Sequence, residues 1–229
     1  MEEFKTFILR IFSIIFIAFI PCTGLFLVYF YTAPKIAAYH EIKEKRAVLD
    51  IFGIPYRTTE KTVMGFTIKG YDKDNIREVF DTSITVEETE VVGVKTEEEG
   101  KVYKFIKGGE LQGMGFIRSR IGYGYNKSSA MSLFICLKPD METLKGVEVL
   151  DHSETPGLGG RMTEDMFKEQ FIGMKLKPQI KMVKERKATG DNEFDAITGA
   201  TNTSRGIEEF INDAVQEFWG KSGEQKWQD

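Results

Sequence analysis

Hydrophobic and polar residues follow three successive rhythms along this chain. Residues 11–34 contain no charged side chain and are mostly apolar. A helix needs about 20 apolar residues to cross a bilayer, so this run predicts a spanning helix. Tyr29 and Tyr31 suit an interface belt, and a spanning helix tolerates a bend at Pro21 and Gly24. Residues 36–52 then place Ala37, Ala38, Ile42, Val48, Leu49, Ile51 and Phe52 on a continuing helix that Gly53 and Pro55 end. Beyond Tyr56 the period drops to two. Short strands are predicted at 63–68 and 83–86, with a turn at 72–75 and a short helix at 75–80. A hairpin is predicted from 91–96 and 101–106 around the acidic turn Glu97-Glu98-Glu99-Gly100. Two apolar strands follow at 131–137 and 144–150, joined by the turn Pro139-Asp140-Met141-Glu142. A helix at 163–171 puts Met166, Phe167, Gln170 and Phe171 on one side and stops at Gly173, and a strand is predicted at 179–184. The last helix is the clearest element, because Ile207, Phe210, Ile211, Ala214, Val215 and Phe218 form one apolar stripe.

These elements divide the chain into an anchor (1–34), a linker helix (35–55), a domain (56–220) and a polar tail (221–229). A cleaved signal peptide would have a shorter apolar core followed by small residues at a cleavage site. Lys35-Ile36-Ala37-Ala38-Tyr39 offers no such site, and Pro21 before Cys22 argues against a lipoprotein reading. A retained single-pass anchor is therefore the expectation. Lys5 and Arg10 precede the span while Lys35, Lys43, Lys45 and Arg46 follow it. That bias taken alone puts the C-terminal side in the cytoplasm, although the rule is weak for a long downstream domain.

Composition narrows the function classes. A net charge of −4 and the lack of a basic stripe with interleaved aromatics exclude nucleic-acid binding as the reading. With only two cysteines and two histidines in the chain, no metal site is expected. Cys22 and Cys136 lie in an apolar run and a predicted strand, so no disulfide joins them. The acidic run at 97–99 lacks the spacing of a cation loop and reads as a solvated turn.

Two stretches carry candidate chemistry. The first is Asp195-Ala196-Ile197-Thr198-Gly199-Ala200-Thr201-Asn202-Thr203-Ser204, just before the last helix. Gly199 permits a tight turn, and Asn202, Thr203 or Ser204 can cap the helix. Hydroxyls gathered where helix amides point outward make a candidate phosphate site; on residue types alone an ordinary capped loop is the plainer reading. The second is Glu154-Thr155-Pro156-Gly157-Leu158-Gly159-Gly160. Pro156 biases Thr155 to an extended conformation, and the glycines allow a turn with exposed amides. Leu158 is an apolar residue on a loop, suited to a flat hydrophobic ligand or to plugging the core. The glycines from 108 to 124 do not form a dinucleotide fingerprint, since strand–GxGxxG–helix context is missing. Tyr123 or Tyr125 can stack on a flat ligand, though core or rim packing is the plainer role. His152 reads as a proton carrier or, more plainly, as a structural or solvated side chain, and Lys184 as a strand lysine.

Asp195-x-x-Thr198-Gly199-Ala200-Thr201 resembles the flavinylation motif of the FMN-binding subunits of Rnf complexes (ion-translocating ferredoxin:NAD oxidoreductases) and of the related Na-translocating NADH:quinone reductases. Glu154-Thr155-Pro156-Gly157-Leu158-Gly159 resembles that family's second signature, at the right place in chain order. Gly122-Tyr123-Gly124-Tyr125 resembles its short Gly-rich segment, and His152, two residues before Glu154, is closer to the Rnf pattern. The resemblance implies FMN bound covalently through its phosphate to Thr201. It implies a site built from Asp195, Thr198, Gly199, Ala200, Thr203, Glu154, Thr155, Gly157, Leu158 and Gly159, with Lys184 near the flavin. It also implies a Mg²⁺-dependent flavin transferase as a transient partner, with FAD as donor and AMP released. The implied protein is an electron-transfer subunit with no complete active site of its own and no catalytic residue. Its partners are the other membrane and redox subunits of an Rnf-type complex in the bacterial inner membrane, and its flavin domain lies on the extracytoplasmic side, against the charge bias. The equivalent quinone-reductase subunit, or a tethered FMN-binding sensor module, is the alternative. The expected fold is α+β: a transmembrane helix, then a mostly antiparallel sheet with flanking helices and the flavin in a cleft between the two signature loops.

Overall fold

The apolar strands build the core. In the computed structural model, which describes residues 2–63, 66–88 and 100–222, five strands form one antiparallel sheet: β3 (Ile84–Glu88), β4 (Lys101–Lys107), β5 (Glu110–Ile121), β6 (Ala130–Leu137) and β7 (Leu144–Asp151). Their spatial order is their chain order. Within the sheet, β6 pairs Ile135 with Phe116 on one side and with Val147 on the other. It reads as an unbroken apolar run because both of its faces are covered. Met131, Leu133, Ile135 and Leu137 point into the main core. Phe134 points the other way, against the ring of Tyr103 at 5.7 Å.

A helix covers each face. The last helix, α4 (Thr201–Ser222), lays its stripe on the main core, and the six stripe residues are all buried. Phe218 stacks on Phe116 of β5 with ring centroids 4.3 Å apart. On the opposite face, Phe80 of helix α2 (Lys73–Ser83) meets Tyr103 edge-on, and Phe52 packs on Phe105. Asp72 caps α2, accepting from the amides of Asp74 and Asn75, so the expected turn at 72–75 is a helix start.

The first helix, α1, spans Glu2–Phe52 without a break, with Pro21 and Pro34 inside it. It is long and apolar enough to cross a membrane by length and composition, and its large side chains, such as Phe12, Ile14, Phe16, Ile17 and Phe19, are exposed. The chain divides into two units within this helix, at Lys43 and Glu44. At its end Gly53, with φ +70, and Ile54 donate back to Asp50 and Leu49. This is a Schellman stop that glycine makes easy.

Three local expectations change. The single strand predicted at 63–68 is the meeting point of two strands, β1 (Thr58–Val63) and β2 (Phe66–Tyr71), with Val63 paired to Phe66; a period-two pattern does not show where a chain reverses. The helix predicted at 163–171 is broken into a 3-10 turn (Gly159–Thr163), the four-residue α3 (Asp165–Lys168) and another 3-10 turn (Glu169–Phe171). Phe167 and Phe171 are buried there against Phe194, whereas Met166 is exposed. The strand predicted at 179–184 shrinks to β8 (Lys181–Val183), which pairs parallel with β9 (Glu193–Asp195). The predicted strand 91–96, most of the acidic turn and the end of the tail lie outside the described residues; β4 pairs with β3 and β5.

Candidate functional site

One signature loop follows β7 and the other leads from β9 (Glu193–Asp195) into α4. After Asp151 the chain turns through Thr155, whose carbonyl accepts from the amides of Leu158 and Gly160. Those amides therefore point inward, where exposed ones were expected. Gly157 sits at φ +76 inside this turn. Before α4, Gly199 at φ +81 reverses the chain, and the Ala200 amide donates to Ile197. Helix α4 begins at Thr201, so Asn202, Thr203 and Ser204 lie inside it rather than capping it. The Ser204 hydroxyl instead ties the turn together: it accepts from the Ile197 amide at 2.9 Å and donates to the Ala200 carbonyl at 3.1 Å.

Between the loops lies a cavity of about 500 Å³, lined by Tyr125, Glu154, Thr155, Leu158, Gly159 and the segment Gly199–Thr203. Thr203 donates to Glu154 Oε2 at 2.6 Å, so the two signature stretches are in contact. Leu158 is 49% exposed: it forms part of the wall and does not plug the core. Tyr125 is exposed at the rim. The amides of the first helical turn, at Thr201, Asn202 and Thr203, have no intrahelical acceptor by helix geometry, and they face the cavity end of α4.

The hydroxyls of this stretch differ in their surroundings. Thr203 and Ser204 are buried, and Thr203 donates to Glu154 Oε2 at 2.6 Å. Thr198 is exposed and outside the set of lining residues. Thr201 is half-buried and lines the cavity.

Of the residues expected to form the site, Thr201, Ala200, Gly199, Thr203, Glu154, Thr155, Leu158 and Gly159 come together here. Gly157 shapes the turn behind. Asp195 turns away: its carboxylate accepts from the Ala188 amide at 2.6 Å and so holds the 184–193 loop. Lys184 is exposed just past β8, outside the lining set. Tyr125, expected to stack on a flat ligand or pack at the rim, lines the cavity at its rim, and Asn202, expected as a cap, lines it from inside the first turn of α4. The Gly-rich resemblance around Tyr125 was the available signal, but nothing in the residue order shows that this loop folds over α4.

Tyr123 fixes that loop. Its hydroxyl donates to Asp213 at 2.6 Å, and burial, then that carboxylate, pushes the phenol up to about 12. Its ring meets Phe210 edge-on. Beyond the site, Arg186 pairs with both oxygens of Glu193 at 2.8 and 2.5 Å. That pairing and the amides of Thr189 and Gly190 bring the Glu193 carboxyl down to about 2.

The family model described as FMN-binding domain matches residues 124–216, a range that holds every residue lining the cavity. The chain carries an FMN-binding domain in an α+β fold behind an N-terminal apolar helix. It is 36% identical over 108 residues to a subunit of the Na(+)-translocating NADH-quinone reductase of Yersinia pestis, covering 44% of this chain and 39% of that protein. To the same subunit in Vibrio vulnificus it is 34% identical over 103 residues, covering 42% and 38%. The chain thus spans about two fifths of the length of these curated relatives. A crystal structure of that subunit from Parabacteroides distasonis superposes with a TM-score of 0.51 at 20% identity, over 69% of this chain and 87% of that one; that likeness is one of fold.

Proposed function

We propose that this chain is a membrane-anchored electron-transfer subunit carrying FMN esterified to Thr201. The observation that carries this is the difference among hydroxyls at one helix start: Thr203 and Ser204 are buried and bonded, while Thr201 opens on the cavity. The cavity fits the group. Its size is within the roughly 300–1,000 Å³ of small-molecule sites, a helix N-terminus suits a phosphate, and Leu158 offers an apolar face to a flat ring.

In this reading, Thr201 Oγ1 would hold the flavin phosphate, received from FAD through a transferase with AMP as the leaving group and the hydroxyl proton released. The first-turn amides of α4 then balance the phosphodiester charge. Leu158 and Tyr125 shield one side of the cavity from water, and the covalent link keeps the group from diffusing away. The bound flavin supplies the electron chemistry, while the protein supplies attachment, orientation and electrostatics.

The exposed apolar length of α1 supports a lipid anchor. We assign the flavin domain to the extracytoplasmic side of the bacterial inner membrane; the resemblance of the two signature loops supports this, against the charge bias of the residues flanking the span. For the complex itself, a Na-translocating NADH:quinone reductase comes first, since both curated relatives belong to that enzyme. The Rnf-type ferredoxin:NAD complex is the second reading and rests on His152, whose Nδ1 accepts from the Glu154 amide at 3.1 Å. The proteins that copurify with the chain separate the two.

The test is the mass of the denatured protein after co-expression with a flavin transferase. One FMN residue mapped to the Thr201 peptide, and none in Thr201→Ala, is the expected result. An unmodified protein alongside a modified control substrate overturns the reading.

A further inference from the structure

The side chain of Glu154 lies in the cavity wall and is only 9% exposed. Both of its carboxylate oxygens are engaged by the protein. Oε2 accepts the Thr203 hydroxyl hydrogen at 2.6 Å, and Oε1 accepts the Tyr125 amide at 2.7 Å. Its own amide donates to His152. One carboxylate thus joins three segments that are distant in sequence: the Gly-rich loop, the loop after β7 and the first turn of α4. Two glycines make room for it. A Cβ on Gly124 would overlap Oε1, and a Cβ on Gly159 would overlap Oε2.

Taking the proposed attachment of FMN at Thr201 as its basis, we infer that Glu154 is the positioning residue of this site and not a ligand of the flavin. A carboxylate repels a phosphate, and each of its two oxygens is already held by the protein, one by Thr203 and one by the Tyr125 amide. Fixing Thr203 sets the rotation of the first turn of α4, and with it the direction of Thr201 two residues earlier. The same tie keeps the Thr203 hydroxyl out of reach, so Thr201 is the one presented. Fixing the Tyr125 amide closes the rim of the cavity.

The discriminating variant is Glu154→Gln. Its amide oxygen can accept from Tyr125 N–H while its NH₂ donates to the Thr203 hydroxyl, which accepts as well as it donates. Glu154→Ala loses both ties, and Thr203→Val loses one while keeping its shape. Two measurements are made on the full chain in detergent. The first is the initial rate of flavin attachment at Thr201, with purified transferase and FAD, read by mass. The second is hydrogen exchange of the Tyr125 amide in the unmodified protein.

A hydrogen bond to a charged group is worth enough that Glu154→Ala should slow attachment about tenfold or more and speed Tyr125 exchange by a similar factor. Glu154→Gln should stay within about threefold of the parent in both, and Thr203→Val should slow attachment while sparing the Tyr125 amide. The inference is overturned if Gln slows attachment as much as Ala, which would mark the charge as the agent. It is also overturned if Tyr125 exchange is the same in all variants. If Ala does not fold, the Gln and Thr203→Val arms decide. If the parent accepts no flavin, the attachment reading fails by itself, and the exchange arm still tests the tie.

Discussion

Two glycines in α4 should respond oppositely to the same substitution. Gly206 lies where the helix crosses the Gly-rich loop, and a Cβ there would coincide with the carbonyl oxygen of Tyr123, a backbone atom. Gly220 has nothing within 4 Å of its Cβ position. In Gly220→Ala the helix gains propensity, about 0.5–1 kcal/mol. In Gly206→Ala the same gain is outweighed. Overpacking against backbone costs about 1–3 kcal/mol. The loop must also lift, which strains the bond from the Tyr125 amide to Glu154, a charge-assisted bond of about 1.5–3 kcal/mol. Partial loss of that bond brings the net to about 3 kcal/mol destabilising. For a domain of this size, 1 kcal/mol moves Tm by about 2–4 °C, so Gly206→Ala should lower it by about 6–12 °C. Gly220→Ala should raise it slightly. The assay is thermal unfolding in detergent, followed by circular dichroism. Equal shifts in the two variants would refute the close crossing of helix and loop.

Other outcomes follow from the same structure. Phe218→Ala removes the ring stacked on Phe116 in the core and should cost about 3–5 kcal/mol in urea unfolding. Cys136 is buried and free, and burial pushes its thiol well above the usual range. In a Cys22→Ser chain it should resist iodoacetamide at pH 8 until denaturant is added, with mass as the readout. The Glu193 carboxyl is held at about 2 against an ordinary 4.5. Its contribution is therefore present above about pH 4.5 and is lost as pH falls through that window toward 2. Arg186→Gln should move its titration, followed by NMR, part of the way toward 4.5 and weaken that acid-side dependence, since the Thr189 and Gly190 amides still donate to it. Asp195→Asn keeps an oxygen for the Ala188 amide and should be tolerated, whereas Asp195→Ala should expose the Ala188 amide to faster exchange.

The α4 stripe from Ile207 to Phe218 was legible in residue order alone, because one face of a helix recurs every three to four residues wherever the helix docks. The α1 run, its Gly53 stop and the strands β6 and β7 were legible for similar local reasons. The signature loops could be recognised as motifs, and Leu158 as an apolar loop residue. Sequence alone did not separate Thr201 from Thr203 and Ser204 on chemical grounds, since all three carry a hydroxyl at one helix start. Their difference comes from Glu154, 49 residues before Thr203 in the chain, and from Ile197 folding back on Ser204. Asp195 is the reverse case: it belongs to the motif, yet pairing of β8 with β9 turns its carboxylate to Ala188. The break in the helix expected at 163–171 has the same origin, because Phe167 and Phe171 are recruited by Phe194 across the fold. Periodicity and motif record what a segment prefers by itself. Which hydroxyl faces a cavity, and which acid serves as a tie, is decided by partners far along the chain, and only the closed tertiary structure brings them within hydrogen-bonding distance.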